Sequence, residues 1–216
     1  MEVKLLTSPY SFHEMERFAA LAALTCHANT EYSYVPHEVL AQRIEKKDES
    51  VLEHITLTYS VKGLSRACLQ ELKQYRHISL SVESTRYTLD IHLENKQWVE
   101  SLADKILPCQ RDLLYYLVRL AEISDYNIDE LKYYLPEFWP INLILTSNIR
   151  ELRHILTIRT SPATLKEFRV LAYSLFEAVP DSFKYLLEDC VYREKSDYVR
   201  FTELSNVQDA QKGSEA

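Results

Sequence analysis

Three stretches of this 216-residue chain set cationic or imidazole side chains beside hydroxyls and amides. In the first, His54 stands two residues before Thr56. In the second, QYRHISLSVESTRY over 74–87, Arg76, His77 and Arg86 surround Ser79, Ser81, Ser84 and Thr85. The third, NIRELRHILTIRTSP over 148–162, carries Asn148, Arg150, His154 and Arg159. Guanidinium groups and hydroxyls together are phosphate-binding chemistry, with Arg adding a bidentate fork. Gly63 and Gly213 are the only glycines. Neither a G-x-G-x-x-G dinucleotide turn nor the phosphate loop of nucleoside triphosphatases can be built from them. A bound phosphate must therefore be met by side chains and by amides at helix starts. The competing reading is that the arginines pair with the 32 acidic residues as surface salt bridges. His54 by itself reads as a structural histidine on the polar face of a strand. Arg150 and His154 are one helical turn apart, whereas Arg159 is expected past that helix's end, where a pocket could form.

The rest of the composition narrows the class. A net charge of −7 argues against broad nucleic-acid binding, which needs a basic face. Cys26, Cys68, Cys109 and Cys190 form no C-x-x-C pair and read as reduced thiols. Cys109 follows a proline without other matching sequence, so no nucleophilic role is assigned to it. No zinc-protease or serine-hydrolase motif and no acidic metal cluster occurs, so no metal is expected. No run suits a membrane span and the first residues lack a signal-peptide pattern. The expectation is a cytoplasmic protein with one domain over 1–203, a disordered tail over 204–216 and a small-molecule partner.

The elements that must position these residues follow from periodicity. Ser11 with Glu14 suggests a capping box for a helix over 12–28, and Pro36 opens a shorter one. VLEHITLTYSVK over 51–62 alternates as a strand that Gly63 ends. A helix from Leu64 to Tyr75 then delivers the second stretch to a strand. Helices are expected over 95–107 and 109–124, divided by Pro108, and over 128–135, stopped by Pro136. Residues 141–145 read as a brief strand or the lead into a helix over 147–158. Ser161-Pro162 opens the last helix, which reaches Val179.

RHISLSVESTRYTL resembles the signature of the flavin-dependent thymidylate synthases, Arg-His-Arg followed after seven residues by Ser and usually by Arg two positions later. Arg76 matches the third motif position, and Ser84 and Arg86 fall at the required spacing. SVLEHITLTYSVKGLSRA, LKYYLPE and SNIRELRHILTIRTSPATLKEFRVLA resemble three further family blocks in order, over about 50–180. The resemblance implies an α/β fold with a mainly antiparallel sheet flanked by helices, assembled as a homotetramer with FAD at subunit interfaces. It implies C5 methylation of a uridylate, dUMP by default, with methylenetetrahydrofolate as carbon donor and NADPH as reductant.

Carried over by position, the resemblance gives His54, Thr56, Gln74, Tyr75, Arg76, Asn148, Arg150 and His154 to FAD. It gives Glu71, Gln74, Ser84, Thr85, Arg86 and Lys132, with the amides of Val82 and Glu83, to the nucleotide. Arg159 becomes the catalytic arginine that stabilises negative charge on the pyrimidine. The chain departs from the pattern where Gln74-Tyr75 replaces the first Arg-His, where Glu71 replaces a frequent Gln, and where Lys132 replaces an Arg. These departures leave open the same chemistry on UMP or dCMP, or a homologue that binds flavin or nucleotide without catalysis.

Overall fold

The computed structural model describes residues 1–26, 34–123 and 127–192; the expected tail lies outside them. Strand β1 (Glu2–Leu5) leads into helix α1 (Pro9–Thr25) and helix α2 (Pro36–Glu45). Pro9 occupies the first turn of α1, and the hydroxyl of Ser8, not that of Ser11, accepts the capping N–H, from Ser11 at 3.1 Å. The strand expected from residue 51 begins later. Ser50–His54 is a 3-10 turn that buries Val51 and Leu52, so His54 ends a turn and is not on a strand face. Strand β2 (Thr56–Ser65) then alternates as the sequence requires, with Leu57, Tyr59 and Val61 fully buried.

Gly63 does not end β2. Its φ of 72° and the register shift between Lys62 and Leu64 make a bulge inside the strand, a conformation that costs glycine little. Helix α3 (Arg66–Leu72), strand β3 (Ile78–Val82) and helix α4 (Thr85–Glu94) follow, then α5 (Lys96–Ala103) and α6 (Pro108–Glu122). The sequence pattern did not give α4. Pro108 is the first residue of α6, where its missing N–H costs nothing. Helix α7 (Ile128–Leu131) runs into a 3-10 turn over Lys132–Tyr134.

Strand β4 (Pro140–Asn148) is a full strand with Ile141, Leu143 and Leu145 buried. Helix α8 (Ile149–Arg159) starts directly after it, because the Asn148 side chain accepts the Glu151 N–H at 2.8 Å. Arg159 is the last residue of α8, not past its end. The following Thr160 closes the helix by donating its hydroxyl to the Leu156 carbonyl at 2.7 Å. Residues 161–164 form a turn, so α9 (Lys166–Glu177) opens later than Ser161-Pro162 suggested.

The four strands pair in the order β1-β2-β4-β3, every neighbour antiparallel. Their apolar face joins one core with residues of the helices, including Phe12, Leu40, Leu72, Leu152, Ile155 and Phe168. The expected antiparallel sheet flanked by helices is the observed architecture. Among the described residues no helix is long and apolar enough to cross a membrane.

Candidate active site

Antiparallel register gathers the first and third sequence clusters at one edge. Thr56 pairs with Asn148 and Ile78 with Ser147, so the starts of β2 and β3 flank the end of β4. Beside that edge is a pocket of about 480 Å³ whose lining includes Asn148, Arg150, His154, His77, Glu53 and Arg153. Asn148 spends its side-chain oxygen on the helix cap. Arg150 is ion-paired with Glu53. The exposed His154 meets the Tyr75 ring edge-on at 5.9 Å. Thr56 turns its amide and hydroxyl to the Met15 sulfur, at 3.4 and 3.5 Å. His54 and Arg76 do not line the pocket, and exposed Arg76 makes no ion pair among the described residues.

Arg153, which sequence reasoning missed, is 4% exposed. It donates to both Asp189 oxygens and the Leu186 carbonyl at 2.6 Å, and to Glu49 at 2.9 Å. Burial opposes its charge, but the hydrogen bonds to Asp189 and Glu49 win and its pKa rises. Burial would likewise raise Asp189, yet the Arg153 hydrogen bond holds its carboxyl below the usual range. The signal was present: Arg153 interrupts Ile149, Leu152, Ile155 and Leu156 at core-facing positions. His77, an imidazole of the second stretch, is brought to this pocket by the fold, whereas Glu53 had no signal beyond standing next to His54. Burial pushes the Cys190 thiol in this pocket up to about 11, partly offset by Arg153, so it is protonated at neutral pH.

Arg159 is on the last turn of α8 and is linked to the pocket through Tyr75, the ring that His154 meets. Its Nε donates to the Tyr75 hydroxyl and its Nη1 to Glu71, both at 2.6 Å. The Phe168 ring lies 4.5 Å from the guanidinium carbon. The residues at two departures from the motif, Glu71 and Tyr75, thus touch the candidate catalytic arginine. Gln74 is exposed, and its amide finishes α3 by donating to the Glu71 carbonyl. Burial first, then Glu167 and Glu71, raise the pKa of nearby Cys68, against the pull of Arg159, so no thiolate is formed here at neutral pH.

The second cluster divides. Its later half lies at the other end of β3, whose five residues span about 17 Å. There Val82 pairs with Leu143. The Glu83 amide is not open to a ligand as expected, because it donates to the Asn142 carbonyl at 2.8 Å. The Glu83 carboxylate accepts from the Asn142 side chain at 2.5 Å and meets His92 at 2.7 Å. Burial works against its charge, but the His92 bond prevails and its pKa is lowered. Ser84 caps α4 without spending its hydroxyl, and the first turn of α4 begins at Thr85. Arg86 and Lys132 share Asp129, at 3.0 and 3.6 Å. Two cations on one carboxylate beside a helix start leave a net positive, amide-rich place suited to a phosphate. The competing reading describes three of the arginines: Arg86, Arg150 and Arg159 are ion-paired with Asp129, Glu53 and Glu71.

Residues 8–183 match the family Thy1, described as "Thymidylate synthase complementing protein". A flavin-dependent thymidylate synthase of Campylobacter jejuni is 37% identical over 160 residues, covering 68% of this chain and 77% of the relative. One from Helicobacter pylori is 34% identical over 194 residues, 80% of this chain and 93% of the relative. The crystal structure of thymidylate synthase X from Helicobacter pylori with FAD and dUMP superposes with a TM-score of 0.77 at 32% identity, covering 89% of this chain and all of that one. A UMP/dUMP methylase from Streptomyces cacaoi, at 18% identity and a TM-score of 0.59 over 82% of this chain and 88% of its own, shares the fold. The chain therefore belongs to the Thy1 family of flavin-dependent thymidylate synthases.

Proposed function

We propose that this protein methylates dUMP at C5 with FAD, taking the carbon from methylenetetrahydrofolate and reducing equivalents from NADPH, in the cytoplasm. The observation that carries this reading is the link from the Asn148–Arg150–His154 pocket to Arg159 through Tyr75, whose ring meets His154 and whose hydroxyl accepts from Arg159. Arg150 and the imidazoles of His77 and His154, beside the first turn of α8, are the pocket's groups suited to a diphosphate; Glu49, Glu53 and Glu151 line it too, and Arg153 is spent on Asp189, Leu186 and Glu49. FAD supplies the redox chemistry when bound, so the protein's own groups have only to bind, orient and polarise. Arg159 stabilises negative charge at O2 and N3 of the pyrimidine as C5 becomes nucleophilic. The Ser84 hydroxyl, the leading amides of α4, Arg86 and Lys132 hold the phosphate.

Because Ser84–Arg86 stand a strand length from the Asn148 pocket, the reading includes a homotetramer whose active sites join that pocket and Arg159 of one copy to Ser84–Arg86 of another. The whole of 1–203 acts as one catalytic domain in it. The test is direct. Protein loaded with FAD is expected to show flavin absorbance and to turn over dUMP in preference to UMP and dCMP with NADPH and methylenetetrahydrofolate. No FAD binding, or silence on all three nucleotides, overturns the proposal.

A further inference from the structure

The start of α4 is fastened to the sheet by a carboxylate one residue ahead of its cap. Oε2 of Glu83 accepts from the Asn142 amide at 3.2 Å and from the Asn142 side chain at 2.5 Å, while the Glu83 amide donates back to the Asn142 carbonyl at 2.8 Å. The side-chain oxygen of Asn142 accepts the Gly63 amide at 3.1 Å, so these contacts run from the β2 bulge across β4 to Glu83. The other carboxylate oxygen of Glu83, Oε1, meets Nε2 of His92 at 2.7 Å. His92 lies in the last turn of α4, and its contact closes the helix back onto the residue before Ser84. The imidazole is itself fixed: it stacks on Trp98 of α5 at 4.4 Å and 21°, and Trp98 meets Trp139 at 5.3 Å.

By charge alone a carboxylate is out of place here. Ser84–Arg86 are the phosphate-binding residues of the uridylate reading above, and a carboxylate beside a phosphate repels it unless its charge is met. His92 and Glu83 are 21% and 14% exposed, so water screens neither of them fully. The bonds from His92 and Asn142 meet that charge, and they also set where residue 83 stands. Ser84 follows it directly and makes no side-chain cap hydrogen bond, so α4 lacks the usual local fastening at its start.

We propose that His92 is a positioning residue for the nucleotide phosphate: by holding the Glu83 carboxylate against Asn142 it sets the place of the Ser84 hydroxyl and the leading amides of α4. The proposal rests on the reading of Ser84–Arg86 as the phosphate site. His92 acts through Glu83, and the Asn148 pocket lies at the other end of β3, so the effect falls on nucleotide binding and not on the flavin.

Equilibrium dUMP binding and steady-state kinetics on FAD-loaded protein, with a flavin titration, test this. His92→Phe keeps a ring against Trp98 but gives Glu83 no donor. It is expected to raise Kd and KM for dUMP about tenfold, with kcat within about twofold of native and FAD affinity unchanged. His92→Gln, whose amide can donate to the same oxygen, should restore most of the affinity. Asn142→Ala loosens Glu83 from the strand side and should weaken dUMP binding as His92→Phe does. In a Glu83→Ala background His92→Phe should cost nothing further, because nothing is left for it to hold. Native dUMP affinity in His92→Phe overturns the positioning role, and so does a joint loss of kcat and FAD affinity, which marks a merely structural residue. If His92→Phe does not fold, native dUMP affinity in Asn142→Ala overturns it equally. Arg86→Ala protein that binds dUMP as the native protein does removes the phosphate reading itself, a result distinct from all of these.

Discussion

Arg159 gathers contacts from two parts of the chain, Phe168 on α9 and the pair Glu71 and Tyr75, which are separated from it by 88 and 84 residues. Its value as a candidate was legible in the sequence, because the family block around it is continuous from Ser147 to Ala172. Its partners were not legible, since nothing local links Glu71 or Tyr75 to it. Arg159→Ala is expected to lower kcat for dUMP methylation about 100-fold or more, with FAD affinity within a few-fold of native; steady-state kinetics with a flavin titration decides. Arg159→Lys should recover little, because an ammonium cannot hold Tyr75 and Glu71 and still offer a third planar donor.

At the scale of elements, the site depends on α8 keeping its place against the pocket floor. Arg153 ties α8 to Glu49 before the first 3-10 turn and to the segment around Leu186 and Asp189. Removing it strands a backbone carbonyl and two carboxylates, so Arg153→Ala should cost roughly 3 kcal/mol in urea unfolding. The pH dependence has a definite sign. Asp189 has a folded pKa below its unfolded one. Its contribution is therefore present above about pH 4 and disappears as pH falls through the depressed folded value. Asp189→Asn should be clearly less stable than native at neutral pH and nearly equal to it in strong acid, as unfolding at both pH values will show. Strand and helix types were mostly readable from periodicity. The errors of element type fell at Ser50–His54, a 3-10 turn read as strand, at Gly63, a bulge read as a strand end, and at α4, whose start at Ser84 makes no side-chain cap hydrogen bond. The ends of α1, α8 and α9 were also displaced by a few residues.

For the whole molecule, β3 separates the Asn148 pocket from Ser84–Arg86, so the proposed active site needs two copies. This makes a mixing experiment informative. Arg86→Ala and Arg159→Ala proteins, each inactive alone, should regain about a quarter of native activity when unfolded, mixed equally and refolded, because random assembly returns both side chains to that share of sites. No recovery, with tetramers formed as judged by light scattering, would place both residues in one copy's site.

The sequence by itself determined the chemistry on offer. Two glycines forced anion binding onto side chains and helix starts, and the ordered motif blocks named the family resemblance. Alternation in 51–62 marked a strand with one polar face, while 141–145 read as a brief strand or the lead into a helix. Tertiary structure alone decided which candidates meet. Antiparallel register brings Thr56, Ile78 and Asn148 together and sends Ser84 to the opposite end. Register is set by how whole strands bury their apolar faces, a long-range condition that no local spacing encodes. For the same reason Glu71 and Tyr75, read from the motif as ligand contacts, are found on Arg159.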